Sequence, residues 1–403
     1  MSSAYVRLFG TNIGTVSWNP SEQRVDFSYS ESFQKSGIEL SPLKLPLRGK
    51  RYSDSALPCL LQASLPRGFA KPLLKAELNP VEQLLKIGNH GMGALEFQPS
   101  SDPAADETVQ LTRLAKHAST FLTDSSNLTP EGSSQLLKTA LPAGGERAKV
   151  LVGWNSETQE FRTSQNELPK GFEHWLVKLD GVITGEGASL THPQDNCRIE
   201  FAYSLMAREA GIEMTECRLH EEFGYAHFMT RRFDRSSNGQ KRHVQSLAAL
   251  AQLDTENEVQ NSYETMFQIS RRLGLPYPQL EQLFRRAVFN LLARNQDDEP
   301  QNVSFLMNRR GEWSLAPAYD LTFSYQANGA GTGLQKMSLN CKRDDFTIDD
   351  LIAAARAATV KPRKARLIIE EVRNALNGWS KYAFQAKVPQ GFSLGIARQF
   401  RIL

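Results

Sequence analysis

Between an apolar helical pattern, "LEQLFRRAVFNLLA", and an apolar strand pattern, "VSFLM", the chain places the polar run "NQDDEPQN". Asp297, Asp298, Glu299, Gln301 and Asn302 are therefore held at the margin of a core by the hydrophobic elements on either side. A carboxylate in such a place must face water or find a partner, because burying an unpaired charge is costly. The run is either a solvated turn or a site, and the spacing inside it decides what kind of site.

Asp297 and Asn302 are five residues apart, the spacing of the Asp and Asn of a kinase catalytic loop. In that chemistry the Asp accepts the proton of the substrate hydroxyl, and the Asn turns back to hold magnesium on the phosphates. A solvated loop can carry the same pair by chance. After a hairpin pattern ("VSFLMN", "RRG", "EWSLA") comes "LAPAYDLT", residues 315–322. Asp320 there follows an apolar strand and Tyr319, where a second magnesium ligand would stand; a strand-end Asp capping a turn is the plain alternative. Lys178 in "HWLVKLD" is a lone cation on an apolar strand. Strand alternation allows it to face solvent; the functional alternative is a lysine on the nucleotide phosphates, oriented by Glu200 of the next helix. In "PAGGERAK" (142–149), Gly144 and Gly145 would let backbone N–H groups approach a phosphate, with Arg147 or Lys149 adding charge. The same string also suits a simple turn.

The 403 residues suit two or three domains. Residues 4–50 look β-rich, with "YVRLFG" and "GTVSW" as a hairpin turning at "TNI", and "RVDFSYS" as an alternating strand. Residues 57–88 look helical, and "PVEQLLKIG" starts at a proline and stops at Gly88. The polar stretch 100–110 is a boundary. "TVQLTRLAKHASTFL" is an amphipathic helix; "KVLVGWN", "EFRTS" and "HWLVKLD" are strands; "GVITGEGASLTHPQDN" is a glycine-rich loop. "CRIEFAYSLMAREAGI" is a helix, and "CRLHEEFGYAHFMTRRFD" holds two strands around "FGY". From about 244 the pattern is mostly helical. With 47 basic and 44 acidic residues, net charge is +3, too balanced to imply nucleic-acid binding by charge. The four cysteines, Cys59, Cys197, Cys217 and Cys341, form no CxxC pair, so reduced thiols are expected. No secretory leader and no apolar run of membrane-spanning length is visible, and a cytoplasmic protein is expected.

Taken together, these stretches resemble the HipA family of serine/threonine-protein kinase toxins, over nearly the whole chain. The opening part is similar in "VRLFGTNIGTVSW", "LSPLKLPLR", "SLPRGFAKPLL" and "GMGALEF", and the rest in "GGERAK", "VKL", "EFAYSLMAREAGI", "RRFDR", "NQDDEPQN" and "LAPAYDLT". The resemblance implies an α+β, protein-kinase-like two-lobed fold: a β-rich subdomain over 1–100, a kinase-like N-lobe over 108–232 and a helical C-lobe over 233–403. It implies ATP-dependent phosphorylation of Ser or Thr on a protein, an aminoacyl-tRNA synthetase being the family's known kind of target. It also implies a helix-turn-helix antitoxin that carries any contact with DNA. On this chain Asp297 would be the base, Asn302 and Asp320 would hold Mg2+, and Lys178 would meet the ATP phosphates with Gly144, Gly145 and Lys149. The backbone from Arg231 to Phe233 would meet adenine, with Asp234 and Gln245 near the nucleotide. Three departures stand out. Glu299 replaces the frequent histidine, and a carboxylate beside phosphate is unhelpful unless it faces away or pairs with a cation. Pro142 stands where a regulatory serine is frequent, leaving Thr139, Ser133 or Ser134 as substitutes. Ser246 and Leu247 replace an acidic pair. These departures motivate the alternative of a kinase-fold regulator that binds nucleotide and antitoxin with little transfer.

Overall fold

The computed structural model describes residues 2–47, 51–100, 106–141, 143, 147–163, 167–182, 195–254, 260–326 and 332–403. The chain forms two compact units. The first comprises 1–187, 220–245 and 306–312, and the second 188–219, 246–305 and 313–403.

The first unit begins with a five-stranded antiparallel sheet. Strands Ser2–Leu8 and Thr11–Asn19 form a hairpin, Arg24–Tyr29 and Tyr52–Asp54 extend it on one side, and Leu95–Gln98 closes the other. The turn of that hairpin is Phe9–Gly10, with φ of 51° and 83°, and not "TNI" as the composition suggests. Two consecutive positive φ values twist with the strands and suit a two-residue hairpin turn. Phenylalanine is a poor residue for this conformation, and the Arg309 guanidinium lies over its ring at 5.1 Å. Val6, Ile13, Val16, Phe27 and Phe97 point into the core, where helix Pro80–Ile87 covers them with Val81, Leu84 and Ile87. That helix has the expected bounds because its ends are locally encoded. Asn79 and Glu82 make a reciprocal capping box, Pro80 occupies the first turn, and Gly88 stops it at φ 55°. Residues 57–79 depart from expectation: they hold only a short helix, Cys59–Gln62, and a 3₁₀ stretch, Gly68–Leu73, in which Pro72 removes a donor.

A second sheet has six strands. In spatial order they are Cys217–Glu222, Tyr225–Arg231, Phe172–Lys178, Lys149–Asn155, Phe161–Arg162 and Thr108–Val109. Val150, Val152, Trp154, Trp175 and Val177 share one buried cluster with Leu111, Leu114 and Ala118 of helix Leu111–Thr123. Full burial of each valine or leucine there stabilises by about 1.5–3 kcal/mol. Residues Pro130–Thr139 form a further helix, started by Thr129 accepting from the Gly132 N–H. Thr139 is fully buried there, and its hydroxyl donates to the Gln135 carbonyl at 2.7 Å. The expected substitute modification positions, Thr139, Ser133 and Ser134, are thus helical and partly or wholly buried. Pro142, Gly144 and Gly145, and most of the loop 181–196, lie outside the described residues.

The second unit is mostly helical. Its centre is Tyr277–Leu292, buried from Leu283 onward. Helix Asn196–Glu209 packs in the same unit, and its Tyr203 hydroxyl donates to the Ala293 carbonyl at 2.6 Å. Helices Tyr263–Arg272, Ile348–Ala357, Pro362–Asn377, Trp379–Gln385 and Gln390–Ala397 pack in the same unit. No helix among the described residues is long and apolar enough to cross a membrane.

Candidate functional site

The expected site residues fall on both units. In the first unit, Lys178 is buried at 6% exposure rather than turned to solvent. Its strand neighbours Trp175 and Val177 occupy the core, so alternation puts Lys178 on the sheet's opposite face. In register it stands directly across from Lys149.

The "RRFDR" segment carries on from strand Tyr225–Arg231. Arg231 is exposed and pairs with Glu173 at 3.0 Å. Phe233 is half-buried. Asp234 is fully buried: Arg232 donates to both of its carboxylate oxygens (2.9 and 2.8 Å), Arg235 donates at 2.6 Å, and the Gly93 N–H at 2.7 Å. Burial raises the Asp234 pKa, but the two guanidinium groups and the amide outweigh it and hold the carboxyl well below its usual range. Gly93 sits at φ 77°, and a Cβ there would press on Val244. Gln245 is buried and donates to the Leu60 carbonyl at 3.4 Å. Arg231, Arg232 and His174 line a cavity of about 650 Å³ together with the Ser236–Gln240 loop. Burial, reinforced by Arg232 and Arg235, drives the His174 pKa down to about 3.

In the second unit the polar run of the opening motif separates by role. Helix Tyr277–Leu292 ends because Arg294 takes a left-handed φ of 55°, while the Asn295 N–H returns to the Asn290 carbonyl at 3.0 Å. The chain then presents Asp297 to solvent. Asn302 closes the turn: its Nδ2 donates to the Asp297 carbonyl at 2.9 Å, which directs its Oδ1 the other way. Glu299 forms an ion pair with Lys336 at 3.5 Å, so its charge meets a cation. Asp320 is half-buried and has φ 58°. Such backbone in a non-glycine residue is uncommon and gathers at functional positions. Its neighbour Tyr319 ties the two segments together, donating to the Gln301 carbonyl at 2.7 Å and sharing a 2.6 Å bond with Ser304. Arg286, buried on the central helix with its pKa pushed down to about 10 by that burial, donates to the Ala316 carbonyl at 2.8 Å and so anchors the segment leading to Asp320. Asp297, Asn302 and Asp320 thus belong to one hydrogen-bonded assembly. Glu200, the helix residue expected to orient Lys178, is buried at 2%.

Asp298 was indistinguishable from its neighbour in the sequence, yet it points inward at 3% exposure. It accepts from the Tyr263 hydroxyl and from the N–H groups of Lys336 (3.1 Å) and Met337 (3.3 Å). Burial pushes its pKa up to about 7, against the pull of these donors. An unfolded carboxyl titrates near 3.8. From about pH 4 to pH 7 the folded protein therefore keeps a proton that the unfolded chain has lost, and this group's contribution to stability falls as the pH rises. Asp298→Asn, which cannot titrate, is expected to flatten the decline of the melting temperature across that window by an amount equivalent to a few kcal/mol. Identical pH profiles of wild type and variant would remove Asp298 as the source.

Sequence profiles of two known domains match the chain: the HipA N-terminal domain over residues 4–98 and the HipA-like C-terminal domain over 141–379. No curated protein matches by sequence. The structure is similar to the toxin–antitoxin complex of HipA, HipB and operator DNA from Shewanella oneidensis MR-1, with a TM-score of 0.72 at 17% identity over 98% of this chain and 95% of that one. It also aligns to the Helicobacter pylori proinflammatory kinase CtkA, over 56% of this chain and 92% of that one at 12% identity. The TM-score of 0.34 is too low to bear on the fold.

Proposed function

The chain belongs to the HipA family, and from that premise we propose that it is an ATP-dependent protein kinase acting as the toxin of a toxin–antitoxin module. The observation that carries the proposal is the turn in which Asn302 closes on the Asp297 carbonyl while Tyr319 binds the Asp320 segment to the same turn. An exposed carboxylate on a fixed backbone suits a base that receives a Ser or Thr hydroxyl proton. The oxygens of Asn302 and Asp320 are hard donors of the kind Mg2+ prefers, so these two residues would hold it. Mg-ATP, when bound, supplies the phosphoryl group and part of the charge neutralisation. Lys178 and Lys149, paired across adjacent strands, fit a phosphate. The ion pair of Glu299 with Lys336 weakens the case for an inactive binding protein, because the added negative charge meets a cation.

The target we propose is an aminoacyl-tRNA synthetase, and the partner is a HipB-like antitoxin, through which any DNA is met. The test compares phosphoproteomes of cells expressing the wild-type chain and an Asp297→Asn control. A Ser/Thr phosphosite on a translation protein, present only with wild type, is expected; identical phosphoproteomes would overturn the proposal. The metal role has a separate check. Asp320→Ala is expected to weaken Mg-ATP binding by about tenfold or more in calorimetry, by loss of one charged ligand. An unchanged affinity would exclude Asp320 as a ligand.

A further inference from the structure

A chain of side chains leaves the turn at Asp297 and returns to it at Asp298. The Asp297 N–H donates to Ser324 Oγ at 3.0 Å. That hydroxyl donates to Asn295 Oδ1 at 3.3 Å. Asn295 Nδ2 donates to Asn290 Oδ1 at 3.0 Å, and Asn290 Nδ2 donates to the Tyr263 hydroxyl at 3.3 Å. The Tyr263 hydroxyl donates to Asp298 Oδ2. Every link runs in the same sense, and the last acceptor is the residue bonded to the first donor. Tyr263, Asn290, Asn295 and Asp298 are buried, and Ser324, four residues beyond Asp320, is half-exposed.

We propose that Ser324, Asn295, Asn290, Tyr263 and Asp298 form a one-way hydrogen-bond relay that positions the main chain of Asp297 for phosphotransfer; the catalytic part of this rests on the function proposed above. Hydrogen bonds in series polarise one another, so each link strengthens the next. An ionised carboxylate at the end terminates such a series, since in that form both oxygens only accept. The relay ties helix Tyr263–Arg272, the central helix and the segment after Asp320 to one peptide unit. These five are positioning residues, because none needs to touch the substrate.

The experiment combines hydrogen exchange of the Asp297 amide with steady-state kinetics, in the full chain. Ser324→Ala removes the direct acceptor, and Tyr263→Phe breaks the relay at its far end without touching Asp297. Both are expected to speed exchange of the Asp297 amide about tenfold and to lower kcat about tenfold with the KM for ATP unchanged. Ser324→Thr, which keeps the hydroxyl, should restore both quantities. The double variant should be little worse than the worse single, since one series can be broken only once. If Tyr263→Phe does not fold, Asn290→Ser interrupts the same relay at its middle. Faster exchange in Ser324→Ala but not in Tyr263→Phe would mean a local contact and no relay. Effects that multiply as for independent sites would overturn it equally, as would a loss in Ser324→Ala that tracks a fall in Tm and resists Ser324→Thr. Should the wild type transfer no phosphate, the kinase function fails, while the exchange data still decide the relay.

Discussion

Asp297→Asn is expected to lower phosphotransfer by about 10²- to 10⁴-fold, the range for loss of a positioned general base. The substitution separates chemistry from architecture. The bonds from the Asp297 N–H to Ser324 and from Asn302 to the Asp297 carbonyl both use the main chain, so the turn keeps them. The side chain is exposed, and stability should stay within about 0.5 kcal/mol of wild type. Initial rates with Mg-ATP and thermal melts measure the two quantities. If the proposed function holds, the growth arrest caused by expression disappears with the activity. A variant that arrests growth as wild type does would detach toxicity from Asp297.

Asp234→Ala should act in the opposite way, on stability first. It strips the shared partner from Arg232 and Arg235, whose side chains are each 1% exposed, and leaves the Gly93 N–H unpaired. Removing one member of a buried ion pair costs about 3–5 kcal/mol, because the remaining charge stays desolvated. Chemical denaturation of the first unit is the measurement. Asp234→Asn, which retains an acceptor for Gly93, should lose less. A loss below about 1 kcal/mol for the alanine variant would show that the arginines find other partners.

What could be read in the sequence follows from how local each signal is. Helix Pro80–Ile87 was legible to the residue because Asn79, Glu82, Pro80 and Gly88 all lie within the segment they delimit. The turn at Phe9–Gly10 was misplaced because phenylalanine in a left-handed conformation is no turn signal. Helix Pro130–Thr139 carried one, Thr129 before Pro130, that the serine-rich composition concealed. At the site, the Asp297–Asn302 spacing pointed to the turn. Which of two adjacent aspartates turns inward was not legible, since Tyr263, 35 residues upstream, decides it. Asn290, within an otherwise apolar helical run, was the available clue to a buried polar network. Glu299 looked unfavourable in isolation, because Lys336 lies far along the chain.

The Asp234 cluster also sets an order of events during synthesis. Gly93 and Asp234 are 141 residues apart, and Arg235 reaches the carbonyls of Gly91 and Gly93 across a similar gap. At about 5–20 residues per second, the ribosome needs roughly 7 to 28 s to deliver that partner after Gly93 has emerged. For that interval the segment that forms the first sheet and helix Pro80–Ile87 is without this fastening. A nascent chain halted just before Asp234 would present the opening segment, through strand Leu95–Gln98, without this clasp and open to chaperones or to any protein that binds this surface early.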